Sequence, residues 1–419
     1  MINNNIIVLF FNFILYLSLF VFFQIKQKSI QVGSVVLFIY AFVSLGSIYL
    51  YGYSETKFDL NYWNIYYLPF IYLFCILFIS FIPILHFSNQ KVVGMIMPPS
   101  SLMRFISITI IVIHTLHLLI TIIPKFSITD LLINTTVLVD NYEGQAERSL
   151  SGLSWIIAFL KNIFGDILWV MLMYNLINRN KILSIGILFS LVVSLLGALS
   201  GGTRGSMIAF FFQIPFVYIV FKPLMTVSLR NKMIMYAFVF LGFLLIGFGS
   251  LTYGRHGDNQ YHSLTDYIVY YMSSDFLMFN HDALDPGGCR YGDRVFPLLR
   301  QFLGLGTAGG FRTRRLQYQN LKLDDSQFSF FVGEFCIDFG PIIAFLIISF
   351  FSYIVYRQLK KRKYDLGDIL IALLWYNILV NGLFLFFYAE ILGNLKILYL
   401  LFFVFLFKKY APSIKQSSV

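Results

Sequence analysis

The stretch YYLPFIYLFCILFISFIPILH, residues 66–86, contains no Asp, Glu, Lys or Arg in 21 consecutive positions. A helix rises about 1.5 Å per residue, so about 20 apolar residues cross the hydrocarbon core of a bilayer. Only helices and closed barrels satisfy the backbone in lipid, and this run is too long for a barrel strand. The sequence therefore predicts a membrane-spanning helix here.

The same pattern recurs in ten further apolar runs, which gives eleven predicted spans. The composition agrees, because 58% of the 419 residues are hydrophobic and 12% are charged, whereas about 25% are charged in a soluble domain. These values exclude disordered, collagen-like and disulfide-framework classes and predict an all-α polytopic membrane protein. The ten further runs cover residues 6–23, 32–51, 102–123, 153–177, 182–199, 207–221, 233–251, 328–356, 366–388 and 391–407.

The distribution of Lys and Arg predicts the orientation of these spans. With the N-terminus outside, the inner connections and the C-terminal tail carry 17 basic residues and the short outer connections carry four. Cytoplasmic loops are enriched in Lys and Arg, so we expect the N-terminus outside and the C-terminus inside. The net charge of +11 follows from this bias and does not indicate a nucleic-acid partner.

One long connection divides the chain. Residues 1–251 hold spans one to eight, residues 252–327 form a large outer loop, and residues 328–419 hold spans nine to eleven and an inner tail. Within the loop, residues 264–279 are apolar and rich in aromatics but short for a span. This composition predicts an interfacial helix, with a buried re-entrant segment as the alternative.

The two sides of the membrane differ in their choice of cation. Lys supplies 12 of the 17 inner basic residues, whereas Arg supplies nine of the 12 predicted to lie outside. A guanidinium group binds phosphate oxygens bidentately, so the outer arginines are candidate diphosphate ligands. The alternative is that they pair with the loop's own aspartates. The candidates are Arg204, Arg255, Arg290, Arg294 and Arg312.

Two glycine-containing stretches hold some of these arginines. In SGGTRGS, residues 200–206, glycines on both sides of Arg204 would let its guanidinium and the neighbouring amides approach an anion closely. The alternative is a tight turn with a snorkelling arginine. The stretch FLGLGTAGGFRTRR, residues 302–315, lacks the G-K-[ST] of a phosphate-binding loop, so nucleotide binding is disfavoured.

Acidic and histidine residues are the candidates for acid–base chemistry. Glu334 and Asp338 are four residues apart and share a helix face, where they would repel unless a cation lies between them. They belong either to a structural arginine–carboxylate network or to a charged cleft that opens outward. His281, in the outer loop, is a second candidate base. His114 and His117 predict an interhelical hydrogen bond, with a proton relay as the alternative. No metal-binding motif or cysteine spacing is present, so we expect neither a metal nor a cofactor.

The turn SGGTRGS and the stretch FVGEFCIDFGPIIAFL, residues 331–346, carry a resemblance to a known family. Together with the many apolar spans and one large outer loop in the second half, they resemble bacterial Wzy-type O-antigen polymerases, the oligosaccharide repeat unit polymerases. Some members have an arginine followed, after 15 residues, by a glycine in outer loops. Arg290 with Gly306 and Arg294 with Gly310 have that spacing here.

The resemblance implies a GT-C-type glycosyltransferase of lipopolysaccharide biosynthesis in the bacterial inner membrane. Such an enzyme transfers a glycan from one undecaprenyl pyrophosphate carrier to the sugar of another on the periplasmic side. Its partners would be these lipid-linked donor and acceptor oligosaccharides, membrane lipid and a chain-length regulator. The five arginines and Asp338 would bind the substrate, and Glu334 or His281 would be the base.

Two other functions remain alternatives. An O-antigen ligase uses the same donor but transfers the glycan to lipid A core, and the sequence separates the two poorly. A flippase or transporter of lipid-linked oligosaccharide would show two related halves and charges along a path across the whole membrane. The charges predicted inside the spans here lie near one side.

Overall fold

The computed structural model describes residues 4–57, 64–125, 152–200, 204–256, 264–306, 314, 317–318, 321–322, 330–361 and 363–410. Its regular structure in these ranges is helical, apart from an isolated bridge between Ile96 and Asp365. A π-helical turn, Leu118–Ile122, continues α4, and a 3-10 turn, Gly165–Ile167, joins α5 to α6. The α-helices are α1 (Asn4–Gln27), α2 (Val32–Lys57), α3 (Tyr67–Leu85), α4 (Ser100–His117), α5 (Leu153–Phe164), α6 (Leu168–Ile177), α7 (Lys181–Ser200), α8 (Arg204–Phe221), α9 (Val227–His256), α10 (Leu264–Asp282), α11 (Pro297–Phe302), α12 (Phe330–Phe339), α13 (Pro341–Leu359), α14 (Leu366–Asn381) and α15 (Glu390–Lys409).

Nine helical segments in the described part of the chain are long and apolar enough to cross a membrane. Two other predicted runs are also helical: α9 covers 233–251, and the 16-residue α14 begins the run 366–388. The described part of the chain is thus helical, apart from the isolated bridge, and has the character of a polytopic membrane protein. The nine segments are Asn4–Gln27, Val32–Gly52, Tyr67–Val92, Ser100–Ile122, Leu153–Ile177, Lys181–Ser200, Met207–Leu224, Pro341–Leu359 and Glu390–Lys409.

The predicted continuous helix over 328–356 is two helices in the structure. Gly340 separates α12 from α13 with φ 77° and ψ 159°, a conformation that essentially only glycine adopts. Pro341 then occupies the first turn of α13, where its missing N–H costs no hydrogen bond. As a result Glu334 and Asp338 lie on the separate short helix α12, outside the candidate span Pro341–Leu359.

The helices form two compact units that alternate along the sequence, and the first contains α1 to α3 and α10 to α13. In this unit α2 packs against α1 and α10, and α3 packs against α13. Aromatic rings fill its centre, where Tyr16 contacts Tyr40, Phe74 and Phe276. The unit comprises Met1–Ser88, Tyr261–Lys361 and Trp375–Ile397.

Helix α10, predicted as interfacial, is internal to the first unit. Its residues Asp266 and Asp275 are both buried, whereas an interfacial helix would turn its acidic face to water. The Asn280 side chain donates to the carbonyl of Tyr66 at 2.7 Å and accepts from the Tyr66 N–H at 2.9 Å. The helix is therefore packed within the unit, and its placement as an interfacial or a re-entrant segment stays a prediction.

The second unit comprises Asn89–Gln260, Arg362–Leu374 and Leu398–Val419. Here α4 packs against α5 and α7, and α8 packs against α6, α7 and α9. The Nε2 atom of His114 lies 3.0 Å from the Ser194 hydroxyl, so the interhelical hydrogen bond predicted for this histidine is present. The Nδ1 atom of His117 has no hydrogen-bond partner among the described residues.

The backbone at Gly340 generates a first prediction. We expect Gly340→Ala to lower the free energy of unfolding by about 1–3 kcal/mol, because a Cβ disfavours this conformation. A steric clash is not the cause of this loss, since a Cβ at position 340 would meet only the Cys289 sulfur, at 3.8 Å. The measurement is thermal unfolding in lipid nanodiscs, with Gly94→Ala as the control because a Cβ at Gly94 meets no atom within 4 Å. Equal unfolding midpoints for the two variants would contradict the prediction.

Candidate functional site

Arg290 lies between the two carboxylates of α12. Its side chain is fully buried, and its Nε donates to Asp338 Oδ1 at 2.8 Å while one Nη donates to Glu334 Oε2 at 3.2 Å. The sequence predicted that two acids sharing this helix face need a cation between them, and Arg290 is that cation. A single planar guanidinium thus compensates both acids.

The segment after Arg290 is bound to the same two acids. Arg294 donates from its guanidinium to Glu334 Oε1 at 2.9 Å, so both oxygens of Glu334 receive an arginine N–H. The second oxygen of Asp338 accepts the backbone N–H groups of Arg294 at 3.2 Å and Val295 at 2.7 Å. These hydrogen bonds to charged groups fix residues 290–295 against α12.

A second set of ion pairs joins this segment to the start of α15. Arg314 donates to Asp293 Oδ2 at 2.9 Å and to Glu390 Oε2 at 3.0 Å, and the Glu390 backbone N–H donates to the carbonyl of Arg294 at 2.9 Å. Burial alone would lower the pKa of Arg314, but the hydrogen bonds to Asp293 and Glu390 outweigh it and raise that pKa above its usual value. Arg314 therefore remains a cation over the physiological pH range.

These contacts form one set of charges, which we call the arginine–carboxylate network. Among the described residues it contains four guanidinium groups and four carboxylates, and each of these charges has a partner of opposite sign. Burying an unpaired ion costs several kcal/mol, so this balance is what makes the burial tolerable. The network consists of Arg290, Arg294, Arg300, Arg314, Asp293, Glu334, Asp338 and Glu390.

A tight turn brings Arg290 and Asp293 to their partners. Tyr291 and Gly292 both have positive φ, at 54° and 79°. A Cβ at Gly292 would lie 3.0 Å from the Phe339 ring, so a larger residue would require that ring to shift, and the positive φ also favours glycine here. Directly before the turn, the backbone N–H of Arg290 donates to the carbonyl of Ile337 at 3.1 Å.

The structure brings together four of the residues predicted for the site: Arg290, Arg294, Glu334 and Asp338. His281 lies apart at the end of α10, half-exposed, with its Nδ1 2.6 Å from Asp282 Oδ2. The side chains of Arg204 and Arg255 and all of Arg312 lie outside the described residues. The backbones of Arg204 and Arg255 belong to α8 and α9, in the second unit.

The contacts observed match one of the two alternatives given above for Glu334 and Asp338, namely a structural network of arginines and carboxylates. Glu334 is 1% exposed with both oxygens engaged, so it has no access to a substrate hydroxyl in this conformation. Arg290 and Asp338 are each 0% exposed and bind one another. Of the predicted diphosphate ligands whose side chains are described, Arg294 has the greater exposure, at 12% of its side chain.

Four members of the network were not among the candidate residues: Asp293, Arg300, Arg314 and Glu390. For Asp293, Arg300 and Arg314, the signal in the sequence was the alternative that the outer arginines pair with the loop's own aspartates, whereas Glu390 lies outside that loop. Which residues pair depends on the turn at 291–292 and on contacts between distant segments. No periodic pattern in the sequence encodes those contacts.

The chain matches no family model, no curated protein and no solved structure. In the described part of the chain, no group of three or more His, Cys, Asp and Glu side chains could hold a metal ion. Fold and site together define a polytopic helical membrane protein with a buried, charge-balanced arginine–carboxylate network.

The position of Arg290 generates a second prediction. Arg290→Met leaves two buried carboxylates without their shared cation, and breaking such a pair costs about 3–5 kcal/mol. We expect the thermal unfolding midpoint of the purified protein to fall accordingly. Arg357→Met is the control, because Arg357 is exposed in the last turn of α13.

A compensating variant tests the same point. Adding Asp338→Asn to Arg290→Met removes the carboxylate left without a guanidinium partner, while Glu334 keeps Arg294, so the double variant should recover part of the lost stability. If Arg290→Met alone is as stable as the Arg357 control, the network does not hold this unit together.

Proposed function

We propose that this protein is an O-antigen polymerase. It would have eleven spans and a GT-C-type fold, and it would join undecaprenyl-pyrophosphate-linked repeat units on the periplasmic side of the bacterial inner membrane without a metal. The resemblance of residues 200–206 and 331–346 to Wzy-type polymerases supports this proposal, and so do the nine candidate spans.

The observation that carries the proposal is the fixed position of Arg294. Its guanidinium is bound to Glu334, and its backbone is bound to Asp338 and Glu390. A donor held in place before the reaction stabilises developing negative charge without reorganisation. We assign to Arg294 the contact with the departing diphosphate, and to Arg290, Glu334 and Asp338 the positioning of Arg294. Arg204, Arg255 and Arg312 remain proposed further ligands.

The reaction breaks the bond between the anomeric carbon of the donor glycan and its diphosphate oxygen. The hydroxyl oxygen of the acceptor sugar forms the new bond to that carbon, and undecaprenyl diphosphate leaves with the electron pair. The proton of the acceptor hydroxyl passes to a base. His281 fits this role better than Glu334, because its side chain is 46% exposed whereas Glu334 is enclosed by two arginines.

Deleting the gene from its source bacterium tests the proposal. Loss of a polymerase leaves lipid A core that carries a single repeat unit, which an electrophoretic separation of lipopolysaccharide resolves. Bare core would instead support the ligase or the flippase and would contradict the polymerase.

Arg294 generates a third prediction. In the complemented deletion strain, Arg294→Gln should reduce chain extension by about 100-fold or more, because a preorganised donor to the transition state is lost. Arg357→Gln is the matched control and should give normal chains. Membrane abundance and unfolding midpoint are measured for both variants, so a loss of activity with unchanged stability separates substrate contact from structure. Normal chain length in Arg294→Gln would refute its assigned contact.

Metal independence is a fourth prediction. The outer segments contain no D-x-D motif, and arginine can stabilise the leaving diphosphate without a metal ion. Polymerisation by purified protein in proteoliposomes should therefore proceed at an unchanged rate with EDTA. A loss of activity that Mg²⁺ or Mn²⁺ restores would overturn this prediction.

A further inference from the structure

We propose that residues 297–305, predicted from the sequence to be part of an aqueous outer loop, lie in the bilayer and contact its acyl chains. We call this stretch the 297–305 segment. The proposal does not depend on the activity proposed above. It concerns the first unit alone, to which the segment and its contacts belong.

The composition and exposure of the segment suit lipid. Residues 295–311 contain one charged residue, Arg300. Four large apolar side chains of the segment are exposed, with Phe302 at 81% and Leu303 at 63% the most accessible; the others are Leu299 and Leu305. A contiguous exposed apolar patch of this kind marks a contact surface.

The depth of the segment follows from its neighbours. Directly before it, the ring of Phe296 packs against Phe351, with 6.3 Å between centroids. Phe351 is ten residues beyond Pro341, so it lies about 15 Å along the axis of α13. The Phe296 ring also packs against Phe335 and Phe339 of α12, at 5.7 and 5.9 Å between centroids, so it lies between the start and the middle of the candidate span α13.

The start of α15, a second candidate span, holds the same stretch. The Asn394 amide donates to the carbonyl of Val295 at 2.8 Å, and its oxygen accepts from the Leu298 N–H at 3.4 Å. Asn394 lies in the second turn of α15. The segment is therefore attached to two candidate spans and not only to other parts of the loop.

Arg300, the one charged residue of the 297–305 segment, hydrogen-bonds to backbone carbonyls of the protein. The Arg300 guanidinium donates to the carbonyls of Arg290 and Tyr291, each at 3.0 Å, and to that of Leu305 at 2.9 Å. Charged side chains at membrane depth are tolerated when they pair with other charges or with backbone carbonyls. Arg300 meets this condition, and its side chain is only 16% exposed.

Part of the backbone of the segment is hydrogen-bonded within the protein. Four of its N–H groups donate within the segment or just before it: Arg300 to Phe296 at 3.1 Å, Leu303 to Leu299 at 3.0 Å, Gly304 to Gln301 at 3.1 Å and Leu305 to Arg300 at 2.9 Å. Each of these bonds lowers the cost of leaving water, because an unsatisfied polar group in hydrocarbon costs several kcal/mol.

Acyl chains are the occupant that these observations favour over a soluble protein partner. Helix α13, which Phe296 contacts directly before the segment, also has exposed apolar side chains, with Leu346 at 62% and Phe350 at 60%. Among the described residues, the network has equal numbers of guanidinium groups and carboxylates, so these residues present no excess charge to a polar partner. A bilayer covers both apolar faces at once.

A spin label at Phe302 tests the proposal. Phe302→Cys is made in a protein with Cys75→Ala and Cys289→Ala, since the remaining Cys336 is buried. The labelled protein is reconstituted in vesicles of phosphatidylcholine and phosphatidylglycerol. Electron paramagnetic resonance then compares collisions of the label with oxygen, which partitions into lipid, and with a water-soluble nickel chelate.

Two control positions calibrate the ratio of the collision rates. Leu346→Cys, on the exposed face of α13, reports lipid, and Lys360→Cys, exposed just beyond the end of α13, reports water. We expect collisions with oxygen to exceed those with nickel at position 302, as at position 346. A ratio like that of position 360 overturns the proposal, and so does protection from both reagents, which would indicate a covering protein surface.

A second label keeps the test decisive if the first variant does not fold. Leu305→Cys places the label three residues further along, and each variant is accepted only when size-exclusion chromatography gives one monodisperse peak. The expected and contradicting ratios are the same as for Phe302. Chain extension is assayed separately, so the lipid contact and the polymerase proposal can fail independently.

Discussion

A guanidinium buried between two carboxylates is the contact on which the first unit depends. Glu334 and Asp338 face the same side of α12, and without Arg290 their charges would repel at a position with almost no solvent. Two buried ions of one sign are far more costly than a balanced set, because neither water nor a counter-charge screens them. The burial of α12 thus requires Arg290, and the turn at residues 290–295 is held in place by the same bonds.

The break at Gly340 follows from the same constraint. A continuous helix over 328–356 would carry two acids into the outer half of a span. By ending α12 at Phe339, the chain leaves Pro341–Leu359 with no acidic residue and with one basic residue, Arg357, in its last turn. The span α13 then contains mainly apolar residues, and Glu334 and Asp338 lie on α12, which packs against α13. The break at Gly340 therefore separates the two buried acids from the apolar span.

The sequence predicts these features unequally. Apolar runs locate the helices well, because length and hydropathy alone decide what can cross a bilayer. The prediction of one helix over 328–356 missed the break at Gly340 because apolar residues predominate on both sides of it, although a Gly-Pro pair is a readable signal of a turn. The need for a cation between Glu334 and Asp338 was also readable, because their spacing fixes a shared face. Its identity was not, since Arg290 lies more than 40 residues earlier and its position depends on the turn at Gly292.

The enrichment of arginine on the predicted outer side now has a structural cause. Arg290 bonds two carboxylates through separate nitrogens, and Arg300 bonds three backbone carbonyls. Lysine is a point charge and cannot reproduce these planar, multidentate contacts. Every outer arginine whose side chain is described belongs to the network, so the preference for arginine over lysine does not by itself require a phosphate ligand. A role in binding diphosphate rests instead on Arg294, which the network holds in place while leaving part of its side chain exposed.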